Sequence, residues 1–161
     1  MSETAVVNAS PLIFLTKAGM LELLKIIAPQ IMVPEPVVRE IAARGPNDIT
    51  AKAIADAAWL VTVPVSNVPS LIQSWDLGAG ESAVLAYAKE NPGTVAIIDD
   101  GAGRRCAEVL GVPVSGTLGL VLRAKQHGLI PMARPAIAKL KQHGMYLSEK
   151  TIDQALALVG E

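Results

Sequence analysis

Val95-Ala96-Ile97-Ile98 is apolar at every position and stops abruptly at Asp99-Asp100-Gly101. A strand with one face in water would alternate apolar and polar residues, so an unbroken apolar run belongs to a strand covered on both faces, the usual state in a parallel sheet flanked by helices. The rest of the chain has the same grammar. Residues 5–8, 31–33, 60–63 and 112–114 read as further short strands, and the segments between them carry helical periodicity. Helices are expected over 12–18 and 20–27, broken at Gly19, around Val37, Val38 and Ile41, and over 50–58, 81–90, 104–110, 117–126, 131–140 and 149–159. Residues 64–75, rich in Pro, Ser and Asn, read as a loop or short helix. Alternating strands and helices predict an α/β fold of three layers with a central, mostly parallel sheet. The 161 residues are expected to form one domain, with 128–161 an appended helical segment.

Composition narrows what such a fold can do. Aromatic residues are only 3% of the chain, too few for a platform of rings on which successive bases could stack. The formal charge of -1 exerts no general pull on a polyanion, so any nucleic acid would have to meet Lys and Arg gathered on one surface. Cys106 stands alone, which excludes an internal disulfide and argues against a cysteine zinc site. The first four residues, Met1-Ser2-Glu3-Thr4, show no basic stretch followed by an apolar one, and no apolar run is long enough to span a bilayer. A cytoplasmic protein with no membrane association is expected.

In open parallel sheets ligands collect beyond the carboxyl ends of the strands. Asn8 and Asp99 are the first polar residues after two of the expected strands. A lone strand-end Asp is ordinarily a turn or helix cap; a pair, Asp99-Asp100, also brings two negative charges together and calls for a compensating donor or cation. Glu81 precedes Val84 and Leu85 by three and four residues, so it shares the inward face of its helix. It could merely complement the helix dipole, but a carboxylate on an inward face is costly unless paired, hydrogen-bonded or on a metal. Glu40 lies at the margin of an apolar stripe, where a solvated face is the ordinary explanation. Arg104 and Arg105 follow the acids directly and could hold a phosphate by forked hydrogen bonds.

Taken in order, Val6-Val7-Asn8-Ala9-Ser10-Pro11-Leu12-Ile13, Val33-Pro34-Glu35-Pro36-Val37-Val38-Arg39-Glu40-Ile41, Leu77-Gly78-Ala79-Gly80-Glu81-Ser82-Ala83 and Ala96-Ile97-Ile98-Asp99-Asp100-Gly101 resemble the PIN-domain superfamily. The resemblance extends to Gly103-Arg104-Arg105 and Gly116-Thr117-Leu118-Gly119, and looks closest to a prokaryotic branch near the VapC-like toxin nucleases. It implies a ribonuclease dependent on Mg²⁺ or Mn²⁺, often a homodimer and often blocked by an antitoxin protein. Carried across, the family's acidic positions fall on Asn8, Glu40, Glu81 and Asp99, with Asp100 an additional neighbour. Asn8, Glu81, Asp99 and Asp100 are then the expected metal ligands, and Arg104, Arg105, Ser10 and Thr117 the expected contacts to substrate phosphate. Asn8 departs from the family's usual Asp: its amide offers a carbonyl oxygen but no charge, which weakens metal binding, a second metal before the first, and leaves one or two metals open.

Other readings fit less well. A receiver domain would place its paired acids after the first strand. Gly101-Ala102-Gly103 lacks the third glycine of a dinucleotide fingerprint. His127 and His143 lie late in the chain, and no serine sits in a nucleophile elbow. The remaining alternative is a PIN-like scaffold that binds nucleic acid or protein without cutting, and Asn8 is the residue that favours it.

Overall fold

The computed structural model describes residues 4–161; Met1 to Glu3, on which the absence of a leader was argued, lie outside the described residues. Five strands, β1 (Ala5–Val7), β2 (Ile31–Pro34), β3 (Leu60–Val63), β4 (Val95–Ile97) and β5 (Val114–Ser115), form one sheet in the order β3-β2-β1-β4-β5. Every pairing is parallel, and helices cover both faces, as the unbroken apolar run of β4 requires. Ala96, Ile97 and Ile98 are fully buried.

The order of the strands decides where a ligand can sit. The chain builds outward from β1 through β2 to β3, then returns to the other side of β1 with β4 and β5. The topological switch therefore falls between β1 and β4, whose carboxyl ends carry Asn8 and Asp99. Ala5, Val6 and Val7 pair with Val95, Ala96 and Ile97, and Asn8 N–H donates to the Ile97 carbonyl at 3.0 Å, so the two strand ends are held level.

Most helices start and stop where the punctuation of the sequence says they should. Helix α1 (Ala9–Lys17) carries Pro11 in its first turn, where a missing N–H costs nothing, and ends before Gly19, which adopts φ 71°. The next expected helix is a 3₁₀ turn over Leu21–Ile26. Helix α2 (Glu35–Ala42) buries Val37 and Ile41, and α3 (Ile49–Asp56) is capped by Asp48, whose carboxylate accepts from Thr50 N–H and Ala51 N–H. A single turn, α4 (Ser70–Gln73), lies within the Pro- and Ser-rich segment. Helix α5 (Ala79–Glu90) packs on β1, β2 and β4 and lies between α2 and α6.

Several boundaries shift from expectation, α1 starting at Ala9, α5 at Ala79 and the helix expected from 131 at Ala133, and two further shifts have a visible reason. Helix α6 (Gly101–Leu110) begins three residues before the expected 104 because Asp100 is its N-cap, accepting from Gly103 N–H at 2.8 Å. Strand β5 starts at Val114 rather than at residue 112, because Val112 N–H donates to the Ala107 carbonyl and closes α6 behind the left-handed Gly111. Helices α7 (Thr117–Gln126), α8 (Ala133–Gln142) and α9 (Glu149–Leu158) complete the chain. Ser148 caps α9, accepting from Thr151 N–H. Both α8 and α9 pack on α7 and on each other, burying Ala136, Ile137, Leu140, Ile152 and Leu156. Cys106 is a buried free thiol, pushed up in pKa by that burial. No helix among the described residues is long and apolar enough to cross a membrane.

Candidate functional site

Three of the expected side chains meet at the carboxyl end of β1. Asn8 caps that strand and is only 2% exposed. Its Nδ2 donates to Glu81 Oε1 at 3.1 Å. Glu81 stands in the first turn of α5, half-buried, and folds its carboxylate back over the start of the helix, so that a Cβ on Gly78 would lie 2.5 Å from its Oε2. Glu40, from α2, approaches from the rim. At Gly80 a Cβ would lie 2.8 Å from Asn8 Oδ1 and 3.4 Å from Glu40 Oε2. Glycine is needed there for close approach, since no other residue leaves that space open.

The electrostatics follow from this crowding. Shielding from solvent, and next the nearby Glu81 carboxylate, push the Glu40 carboxyl above its ordinary range, with Arg44 acting in the opposite sense. The Nδ2 donor of Asn8 faces one carboxylate and supplies part of the compensation that two converging acids require. Its other end is unsatisfied. Asn8 Oδ1 is buried without a hydrogen-bond partner, and leaving such an acceptor empty costs about 1–3 kcal/mol.

The acids after β4 have different partners. Asp99 Oδ1 accepts from Thr117 N–H at 2.7 Å and Asp99 Oδ2 accepts from the Thr117 hydroxyl at 2.6 Å, so this carboxylate fixes the start of α7. Thr117 is fully buried, and its two donors are both engaged by Asp99. Asp100 is exposed and caps α6; its Oδ2 and the Glu81 Cγ both lie within 4 Å of where a Cβ on Gly103 would stand. The expected four-residue ligand set is therefore divided: Asn8 and Glu81 come together with Glu40, whereas Asp99 and Asp100 serve helix starts. Among the described residues no three Asp, Glu, His or Cys side chains gather closely enough to hold a metal by themselves.

The basic residues divide in the same way. Arg104 is half-buried, with Nη1 donating to the Ile98 carbonyl at 3.0 Å and its guanidinium against Gly116, where a Cβ would lie 2.6 Å away. Arg105 is exposed on the outer face of α6, and Ser10 is exposed in the first turn of α1.

Reading the residues alone missed the Asp99 to Thr117 bond, the capping role of Asp100 and the clearance at Gly80. Each had a signal: a threonine at a strand-to-helix junction, an Asp followed by small helical residues, and a glycine directly before an inward acid.

Divalent cations of the Mg²⁺ type take oxygen ligands and commonly hold several waters while bound by only one or two carboxylates. Two carboxylates and an unsatisfied amide oxygen drawn together around Gly80 match that donor chemistry.

An open, doubly wound parallel sheet with acidic side chains at its switch point defines the class: a three-layer α/β protein with a polar site beyond its strand ends. A family profile described as PIN domain matches residues 4–161, so the chain belongs to the PIN-domain family. PIN domains generally use divalent metals and are associated with nucleic acid. Comparison with curated proteins gave no match.

Proposed function

We propose that this protein is a metal-dependent endoribonuclease working on one Mg²⁺ or Mn²⁺, held by Asn8, Glu40 and Glu81. The observation that carries this reading is Asn8 Oδ1, a buried acceptor with no partner, set beside two carboxylates on a space kept open by Gly80. A cation bound there supplies a water of lowered pKa and offsets charge on the phosphodiester. The chain's own residues do the rest. Glu40 completes the donor set from α2, its Oε2 lying across Gly80 from Asn8 Oδ1. Arg105 and Ser10, both exposed beside the strand ends, are the contacts for the phosphate of the RNA, and Arg104 adds the guanidinium nitrogens that Ile98 does not take. Asp99 is a positioning residue that sets α7 through Thr117.

The test is cleavage of a fluorescent single-stranded RNA with added Mn²⁺. The intact protein should cut, EDTA should stop it, and Glu81→Gln and Glu40→Gln should each slow it by about 100-fold or more, the usual scale for loss of a metal ligand or proton-transfer group. Equal rates for all three proteins would remove the enzyme reading.

A second reading, a scaffold that binds without cutting, is favoured by one contact: Asn8 Nδ2 donates to Glu81 Oε1 at 3.1 Å, so the neutral amide satisfies an acceptor that a catalytic ion would need. A toxin role under an antitoxin, a homodimeric state and a cytoplasmic setting rest on the resemblance to VapC-like nucleases; growth arrest on expression, relieved by Glu81→Gln, is the outcome that tests the first.

A further inference from the structure

Five aromatic residues occur in the chain. Phe14, Trp59, Trp75 and Tyr87 pack partly buried against the core, whereas Tyr146 is 88% exposed. It sits between α8 and α9 with Met145 and Leu147 on either side, and both of those turn inward to pack on the core. The backbone is thus anchored on each side of a ring left standing in solvent, an arrangement that costs apolar exposure and contributes nothing to packing.

Tyr146 borders a cleft of about 610 Å³. The cleft opens from the carboxyl edge of the sheet, where Arg104 and Asp99 line it, and runs between α7 and α9. Leu122 and the 74% exposed Leu158 form apolar walls, and Gln154 and Thr151 place an amide and a hydroxyl at its edge. Charge in the chain is also uneven. Residues 101–161 hold eight Lys and Arg against four Asp and Glu, whereas residues 1–100 hold six against eleven. Among the described residues, the charged ones that line the cleft itself are Arg104 and Asp99, and the Asp99 carboxylate is taken up by Thr117, which leaves the guanidinium as its free charge.

We infer that this cleft is a nucleobase subsite. A base of single-stranded RNA stacks on Tyr146, its polar edge meets Gln154 and Thr151, and the neighbouring phosphate lies toward Arg104 at the sheet edge. A low aromatic content excludes a platform of several rings; one ring serves one base. The inference rests on the ribonuclease reading, since it supplies the recognition that the acidic pocket lacks.

The experiment measures binding of a fluorescent hexauridylate by anisotropy with Mn²⁺, and its cleavage in parallel, for the intact protein, Tyr146→Ala and Tyr146→Phe. Tyr146→Ala should weaken binding about 5- to 100-fold, the range found for removing one base-stacking ring, and Tyr146→Phe should stay within about twofold of the intact protein. A hexamer of abasic sites should bind as weakly to the intact protein as hexauridylate does to Tyr146→Ala. Unchanged binding in Tyr146→Ala with cleavage retained overturns the subsite and leaves the nuclease reading standing; no binding and no cleavage by the intact protein overturns both. Should Tyr146→Ala instead abolish self-association while RNA binding is unchanged, the cleft is a protein interface and the subsite is overturned. The ring is exposed, so the thermal midpoint should be the same in all three proteins.

Discussion

Thr117 gives both of its donors to one carboxylate: its amide N–H lies 2.7 Å from Asp99 Oδ1 and its hydroxyl 2.6 Å from Asp99 Oδ2. The pair ties the end of β4 to the start of α7 and closes the sheet edge next to the acidic pocket. Removing the carboxylate leaves a buried N–H and a buried hydroxyl without acceptors. Asp99→Ala should lower stability by about 2–3 kcal/mol in urea unfolding, and Thr117→Val, which removes one donor and keeps the shape, by about 1 kcal/mol. An Asp99→Ala protein as stable as the parent would show that the bond contributes nothing. Loss of cleavage in Asp99→Ala therefore has to be read beside its unfolding curve.

Asn8 replaces the acid that its position usually carries, and the consequence is specific. Asn8→Asp puts a second carboxylate where Nδ2 now stands 3.1 Å from Glu81 Oε1. Without a cation the two charges repel, so the thermal midpoint in EDTA should fall. With a cation the extra negative ligand should tighten Mn²⁺ binding by about tenfold or more, because affinity for hard ions rises with ligand charge. Titration calorimetry and melting with and without Mn²⁺ read both effects. A variant that melts like the parent in EDTA and binds Mn²⁺ no better would mean that residue 8 is not a ligand.

Gly80 tests the same pocket from the other side. A methyl group there would enter the space between Asn8 Oδ1 and Glu40 Oε2. Gly80 is the second residue of α5, where the preference of Ala over Gly is small, and a Cβ 2.8 Å from the buried Asn8 Oδ1 forces that side chain to shift, so Gly80→Ala should fold but lose about 1–3 kcal/mol. It should also lose the melting shift that Mn²⁺ gives the parent, since stabilisation by a ligand requires binding to the native state. A retained shift would place the ion elsewhere.

Legibility followed distance along the chain. Strand ends announce themselves locally, and so Asn8 after β1 and Asp99 after β4 were read as neighbours of a site from an apolar run meeting a polar residue. Glu81 was read as inward-facing because its partners on α5 are three and four residues away. The Asp99 to Thr117 bond spans eighteen residues and depends on register: Ile97 pairs with Ser115, which sets residue 99 opposite residue 117. With β5 expected over 112–114, that alignment was out of step. Capping by Asp100 was hidden for a related reason, since a helix expected from 104 leaves residue 100 in a loop. The division of the acids into a pocket and two helix starts is thus a property of pairing, which local periodicity does not encode.

Glu161 holds the last helices together through a cluster that no local pattern predicts. Its side chain, 5% exposed, accepts from Ala133 N–H at 2.7 Å, from Lys125 Nζ at 2.9 Å and from Arg134 N–H at 3.1 Å, so it acts as an external cap on α8. The Ala133 N–H, then Lys125 and more weakly the Arg134 N–H, outweigh the opposing effect of burial and hold its carboxyl down at about 2, against an ordinary value of 4.5. A carboxyl depressed in the folded state stabilises it fully above the unfolded value and loses that contribution as pH falls toward the folded one. Melting curves of the parent and Glu161→Gln should therefore differ most at neutral pH, with the parent higher, and converge as pH drops from about 5 toward 2. The same titration bears on the cleft, because α9 carries Gln154 and Leu158 and is anchored at its far end by this carboxylate. Glu161→Gln should accordingly weaken hexauridylate binding at pH 7 while leaving Mn²⁺ binding at Asn8, Glu40 and Glu81 unchanged; a parallel loss of both would mean that the substitution acts through general unfolding.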